Sequence, residues 1–195
     1  MIVSQADDLR NEALRKIGRN VVNLQKMERA LKLLVVGSDM NGYISELKGV
    51  YQNRLDSVER FPMGKLADKV IDILYSSADS NDDSPDDLKE AWVSYGFRIE
   101  GGAGQKKATK KALALVVKER NQLVHKMLGE FDSASVESCR ALIDLLDQQQ
   151  ERIAPHFERI MGWLRSLHEG HMIFLEALKD GKLLVSDIET NPDSG

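Results

Sequence analysis

The stretch SVESCRALIDLLDQQQERIAPHFERIMGWLRSL, residues 135–167, decides the fold class. Its Leu142, Leu146, Ile153, Phe157, Ile160, Leu164 and Leu167 recur at steps of three, four and seven. Such spacing lines one face of an α-helix and does not suit the two-residue alternation of a strand. The preceding DSASVES offers several helix caps. Pro155 is expected to kink or interrupt the helix. Cys139 continues the stripe and reads as a small buried apolar residue. As the chain's single cysteine it excludes an intrachain disulfide and a thiolate metal cluster.

Working outward, the same period recurs. Residues 4–36 carry a seam of Leu14, Ile17, Val21, Leu24, Leu31 and Val35, with Glu28 at its missing step. GSDMNG, residues 37–42, reads as the turn that ends this helix. A second helix is expected over 43–60. A third, KLADKVIDILY, places Leu66, Val70, Ile73 and Leu74 together. The acidic run 76–87 reads as an exposed loop, and Pro85, capped by Ser84, should open a short helix through Trp92. WVSYGFRIEGGAG is the one place for a short extended piece, whose Trp92, Tyr95 and Phe97 are expected to pack on the helices. Gly101, Gly102 and Gly104 form a hinge; the spacing of a phosphate-binding loop is absent. HMIFLEALKD makes a last helix ending at Gly181, before a mobile tail.

The expectation is an all-α bundle of five to seven helices with long antiparallel members, one domain over 1–180 and a flexible tail over 181–195. At 195 residues a single domain can bury a real core. A net charge of −4 argues against a globally basic, nucleic-acid-coating protein. No run approaches the roughly 18 apolar residues of a membrane span, and the polar N-terminus lacks a leader's apolar region. A cytoplasmic chain without membrane contact is expected.

One helix is less ordinary. In VVKERNQLVHKML, residues 116–128, the apolar residues look like a core face, yet Arg120 falls in step with Leu113, Val117, Val124 and Met127. Lys107, Lys111, Lys118, Asn121 and His125 form an adjoining polar stripe. Between residues 106 and 126 the only acid is Glu119. An Arg and a His held together suit attack on an RNA phosphodiester. A neutral imidazole can take the 2′-hydroxyl proton, and a guanidinium can bond the phosphorane oxygens. Asn121 can orient the phosphate or the imidazole. No metal or other cofactor is called for. Alternatively Arg120 is structural, paired in the core with Glu28; that contact would equally let Glu28 hold Arg120 in position. His168 and His171, three apart, and His156 beside Pro155 read as surface histidines, and Trp163 as core or dimer surface.

RNQLVH, residues 120–125, resembles the Arg-x4-His signature of the HEPN superfamily of helical domains. Many of its members are metal-independent ribonucleases of toxin–antitoxin, abortive-infection and CRISPR systems. The resemblance implies that Arg120 and His125 are the catalytic pair, with Asn121 accompanying them. It also implies a homodimer whose two motifs share one cleft, products ending in a 2′,3′-cyclic phosphate, and a cognate antitoxin or regulatory partner in a toxin or antiphage role. Lys107, Lys111 and Lys118 would track the RNA backbone. The wider chain is similar to a group of bacterial proteins through KIGRNVVNLQKMERALKLLV, FRIEGG and SVESCRALIDLLDQQQERI. Some of these carry a C-terminal OST-HTH (LOTUS) module; this chain stops before one and is expected to be a fragment or a shorter variant. The alternatives are a non-catalytic HEPN module that binds RNA or a nucleotide, and a helical oligomerisation scaffold.

Overall fold

The computed structural model describes residues 2–76, 85, 87 and 89–180. The tail 181–195 and the proposed cap Ser84 lie outside the described residues. The order is α1 (Ile2–Gly37), β1 (Asp39–Tyr43), α2 (Leu47–Val58), α3 (Met63–Leu74), β2 (Trp92–Gly96) and α4 (Ala103–Gln122). A π-helical turn (Leu123–Met127), the short α5 (Leu128–Glu130) and α6 (Val136–Lys179) complete it. The chain is an all-α bundle with one small two-stranded ribbon.

α6 follows its periodicity. Cys139, Leu142, Leu146, Ile153, Ile160 and Leu167 are buried, and Ser135 caps the helix by accepting the Ser138 N–H. Pro155 does not interrupt it, and the expected last helix is its continuation to Lys179. Ile153 and Ile160, buried on either side of it, keep the helix packed across the one missing N–H.

α1 lies along α6 in the same direction. Asn20 meets Gln149 near one end and Gly37 meets His171 near the other. The chain returns between them through α4, which runs antiparallel to α3 and to α6. Lys106 and Lys110 approach Asp72 and Asp68 on α3, while Glu119 meets Arg152 on α6. The core face of α1 is one step off the expected seam. Ala13, Leu24, Met27, Leu31 and Leu34 are buried, whereas Leu14 is 49% exposed. Lys16 and Asn20 occupy the buried track, bonded to Asp147 and to Gln149.

Two expected local structures are corrected. GSDMNG closes α1 but also supplies β1, which pairs antiparallel with β2, so that Tyr43 opposes Trp92 and α2 begins only at Leu47. No short helix leads to Trp92; among the described positions 85, 87 and 89–91 none is helical, and Trp92 opens β2. The Ala91 carbonyl accepts the Ile44 N–H, extending the ribbon where a helix would need its own ladder.

The ribbon is fastened to the bundle by aromatic packing. Tyr95 lies edge-on to His171 and tilted against Phe174, at centroid distances of 4.8 and 5.4 Å. A Cβ at Gly170 would stand 2.4 Å from the Tyr95 hydroxyl, whereas one at Gly18 would meet nothing within 4 Å. Gly170→Ala is therefore expected to destabilise by about 1–3 kcal/mol. Gly18→Ala should stabilise by up to about 1 kcal/mol through helix propensity. Urea midpoints of the two variants measure the contrast.

Candidate active site

α4 divides its lysines between two faces. Lys106 and Lys110 turn toward acids on α3. Lys107, Lys111 and Lys118 are exposed and form no ion pair with described residues, so their charge faces outward. From Lys107 to Lys118 the helix rises about 16 Å, the length of a few nucleotides.

The opposite face buries Thr109, Leu113, Val116 and Glu119, and Leu123 continues it into the next turn. The expected core stripe through Arg120 is thus displaced by a residue. Val124 and Leu128 are exposed, and the charge that enters the core is Glu119. Arg120 sits on the flank, where its Nη1 donates to Asn121 Oδ1 at 3.3 Å. Glu28 does not reach it. It lies beside the buried track of α1 and approaches Lys32 at 3.6 Å, one helical turn along. The proposed second role of Glu28, holding Arg120, has no contact to support it.

After Gln122 the helix widens. The Leu123 N–H is directed to the carbonyls of both Arg120 and Glu119, and the Leu128 N–H reaches back five residues to Leu123. Residues five apart on an α-helix stand about 140° apart. A π turn advances each residue by less, which narrows that angular separation. No hydrogen bond joins the two among the described residues. His125 and Asn121 are exposed. Together with Lys118, Gln122 and Lys126 they line a shallow, open groove floored by Ala114 and Val117. Arg120 lies outside this lining, and Lys107 and Lys111 lie farther along the helix.

On the buried face of α4 runs a polar chain. Asn20 and Gln149 are fully buried and Glu119 is 3% exposed. Asn20 Nδ2 donates to Gln149 Oε1 at 3.1 Å. Gln149 Nε2 donates to the Glu119 carbonyl at 2.9 Å and to its carboxylate at 3.2 Å. Arg152 grips that carboxylate through Nε and Nη2 at 2.6 and 3.1 Å. Burial alone would raise the Glu119 pKa. The hydrogen bonds from Arg152 and Gln149, with the charges of Arg152 and Lys118, outweigh it and hold the carboxyl below its ordinary value.

Of the sequence-derived residues, the structure therefore brings Asn121, His125 and Lys118 into one lining, with Arg120 outside it and joined to it only by its bond to Asn121. Gln122 and Lys126 were missed, although with Lys118 they repeat every fourth residue. The remaining histidines, expected at the surface, differ from expectation at two positions, His156 and His171. His168 is exposed, but His171 is hydrogen-bonded through Nε2 to the Gly37 carbonyl at 2.9 Å and packs on Tyr95. His156 is half-buried, with Nδ1 unpartnered among the described residues. Its pKa is lowered by burial and, less, by Arg159. Trp163 packs against the core cluster, as do Tyr95 and Phe97. Among the described residues no three His, Cys, Asp or Glu are grouped to hold a metal, and no helix is long and apolar enough to cross a membrane. Comparison with protein-family models, with curated proteins and with solved structures returned no match.

Proposed function

We propose that the chain is a metal-independent endoribonuclease of HEPN type that acts as a homodimer. The observation that carries this reading is the grouping of Asn121, His125 and Lys118 in one solvent-open groove, with Arg120 hydrogen-bonded to Asn121 beside it. Among the described residues none of these side chains forms a hydrogen bond or ion pair with another element of the fold. A single copy leaves the groove too open to enclose a phosphodiester, and a second copy facing it would close the cleft and double the reactive set.

In that cleft His125 takes the proton from a ribose 2′-hydroxyl, whose oxygen attacks the adjacent phosphorus. Arg120 donates to the phosphorane oxygens as negative charge builds, and Asn121, held by Arg120, orients a non-bridging oxygen. The bond to the 5′-oxygen breaks, and that oxygen leaves with a proton from the imidazolium of the other copy. The products are a 2′,3′-cyclic phosphate and a 5′-hydroxyl. Lys107, Lys111 and Lys118 hold the flanking phosphates. A toxin or antiphage role, with an antitoxin or regulator as partner, rests on the motif resemblance alone.

The test is incubation of defined RNA oligonucleotides with the protein in EDTA, with analysis of the new ends. Cleavage to 2′,3′-cyclic phosphates is expected. Binding of a non-cleavable oligonucleotide should weaken with salt. The triple variant Lys107→Gln, Lys111→Gln, Lys118→Gln should flatten the log–log slope by about 2, at roughly 0.7 per single-strand phosphate. Salt-sensitive binding without cleavage, indifferent to His125→Ala, would replace the enzyme by a non-catalytic binding module. Neither activity would leave a helical scaffold.

A further inference from the structure

The Glu119 carbonyl carries more than its share of donors. In a regular ladder it would serve one N–H four residues on. Here it takes the Leu123 N–H, which is shared with Arg120, and also Gln149 Nε2 from α6 at 2.9 Å. The π turn begins at that same Leu123. A side chain entering the hydrogen-bond ladder is one of the few physical causes of a local departure from α geometry. Single π turns commonly sit at functional sites.

Gln149 has no freedom to be elsewhere. Its amide is fully buried, its oxygen is engaged by Asn20 and its nitrogen by Glu119 twice. Arg152 pins the Glu119 side chain from the outside with two further bonds. The amide therefore adds a second donor to the Glu119 carbonyl one residue before Arg120, and the turn that follows carries His125.

We propose that Gln149, held by Asn20 and working with the Glu119–Arg152 pair, is a positioning residue that fixes the π turn and so the angle between Arg120 and His125. The proposal rests on the reading of those two residues as the reactive pair. In a regular α-helix they would diverge by about 140°. Gln149 touches neither residue; it acts through the backbone between them. This assigns to α6 a part in the chemistry that α4 presents.

The experiment compares the full chain with Gln149→Met, which keeps volume and removes both donors, and with Asn23→Ala. The latter breaks a different α1–α6 hydrogen bond, Asn23 Nδ2 to Gln150 Oε1. Backbone amide NMR shifts of residues 123–128 and the His125 ring shifts are recorded well below the unfolding transition. Cleavage kinetics are measured in parallel. In Gln149→Met the shifts of the turn should move toward α-helical values and kcat should fall at least about tenfold with KM unchanged, while Asn23→Ala alters neither. Unmoved shifts with wild-type kcat would overturn the positioning role and leave the reactive pair standing. If the wild-type chain cleaves nothing, the reading of the pair fails, and the NMR arm still decides whether Gln149 sets the turn. Should Gln149→Met not fold, Gln149→Asn, whose shortened amide falls back from the Glu119 carbonyl, carries the same two expected results.

Discussion

His125→Ala is expected to slow RNA cleavage by about 10²- to 10⁴-fold, the range that a positioned general acid or base supplies. Arg120→Ala should cost about 10²- to 10³-fold, as loss of a charge-stabilising donor does. Neither change should shift the urea midpoint by more than the equivalent of about 0.5 kcal/mol, because His125 is exposed and, among the described residues, Arg120 bonds only to its neighbour Asn121. Arg120→Lys should not restore the rate, since an ammonium cannot present two parallel donors to a phosphorane. The measurement is single-turnover cleavage in EDTA, with oligomeric state checked for each variant. Wild-type rates in both alanine variants would remove the motif from the chemistry. Loss in both together with loss of the dimer would place it in assembly instead.

Much of the architecture is legible in apolar spacing alone. The stripe from Leu142 to Leu167 specifies α6, and Leu66, Val70 and Leu74 specify the inner face of α3. The misreadings of helix phase share one cause. On α1 the buried track includes Lys16 and Asn20; on α4 it includes Glu119; on α6 Gln149 takes a step that apolar spacing leaves empty. A polar side chain enters a core when its partners are there, and partners from other helices cannot be seen in one segment. Asn20, Gln149, Glu119 and Arg152 belong to a single network, so the phase of α1 and of α4 was misjudged for the same reason. Hydrophobic periodicity then selected Arg120 as the intruding charge and Glu28 as its partner, where the structure has Glu119 and Arg152. The ribbon was hidden differently. GSDMNG has turn composition, and β1 exists only because β2, many residues later, pairs with it.

The candidate site was legible as residue types and not as geometry. The basic run, and the resemblance of RNQLVH to the HEPN signature, point to the end of α4 as the candidate. The widened turn is not written in any local motif, because it coincides with a hydrogen bond from Gln149, 30 positions away from Glu119. Under the proposed positioning role, that same bond would couple the site's geometry to the stability of the core.

Glu119 tests the coupling from the side of stability. Glu119→Ala is expected to destabilise the chain by about 2–3 kcal/mol near neutral pH. Breaking a fully buried ion pair costs roughly 3–5 kcal/mol, but Arg152 is 40% exposed and can return to water when its partner is removed. The effect must also depend on pH. The carboxyl is held below its ordinary value in the folded chain, burial notwithstanding, by Arg152 and Gln149. The unfolded chain therefore takes up this proton first as the solution is acidified. The contribution of Glu119 is complete above the ordinary carboxyl pKa of about 4.3. It diminishes below that value and is gone once the folded carboxyl is protonated as well. Urea unfolding of wild type and Glu119→Ala between pH 7 and pH 3 should show the gap in stability narrowing only in the acid range. A gap that stays constant with pH would mean that Glu119 stabilises by filling space. In that case its charge would not be what holds Arg152 and Gln149 against the turn ahead of Arg120.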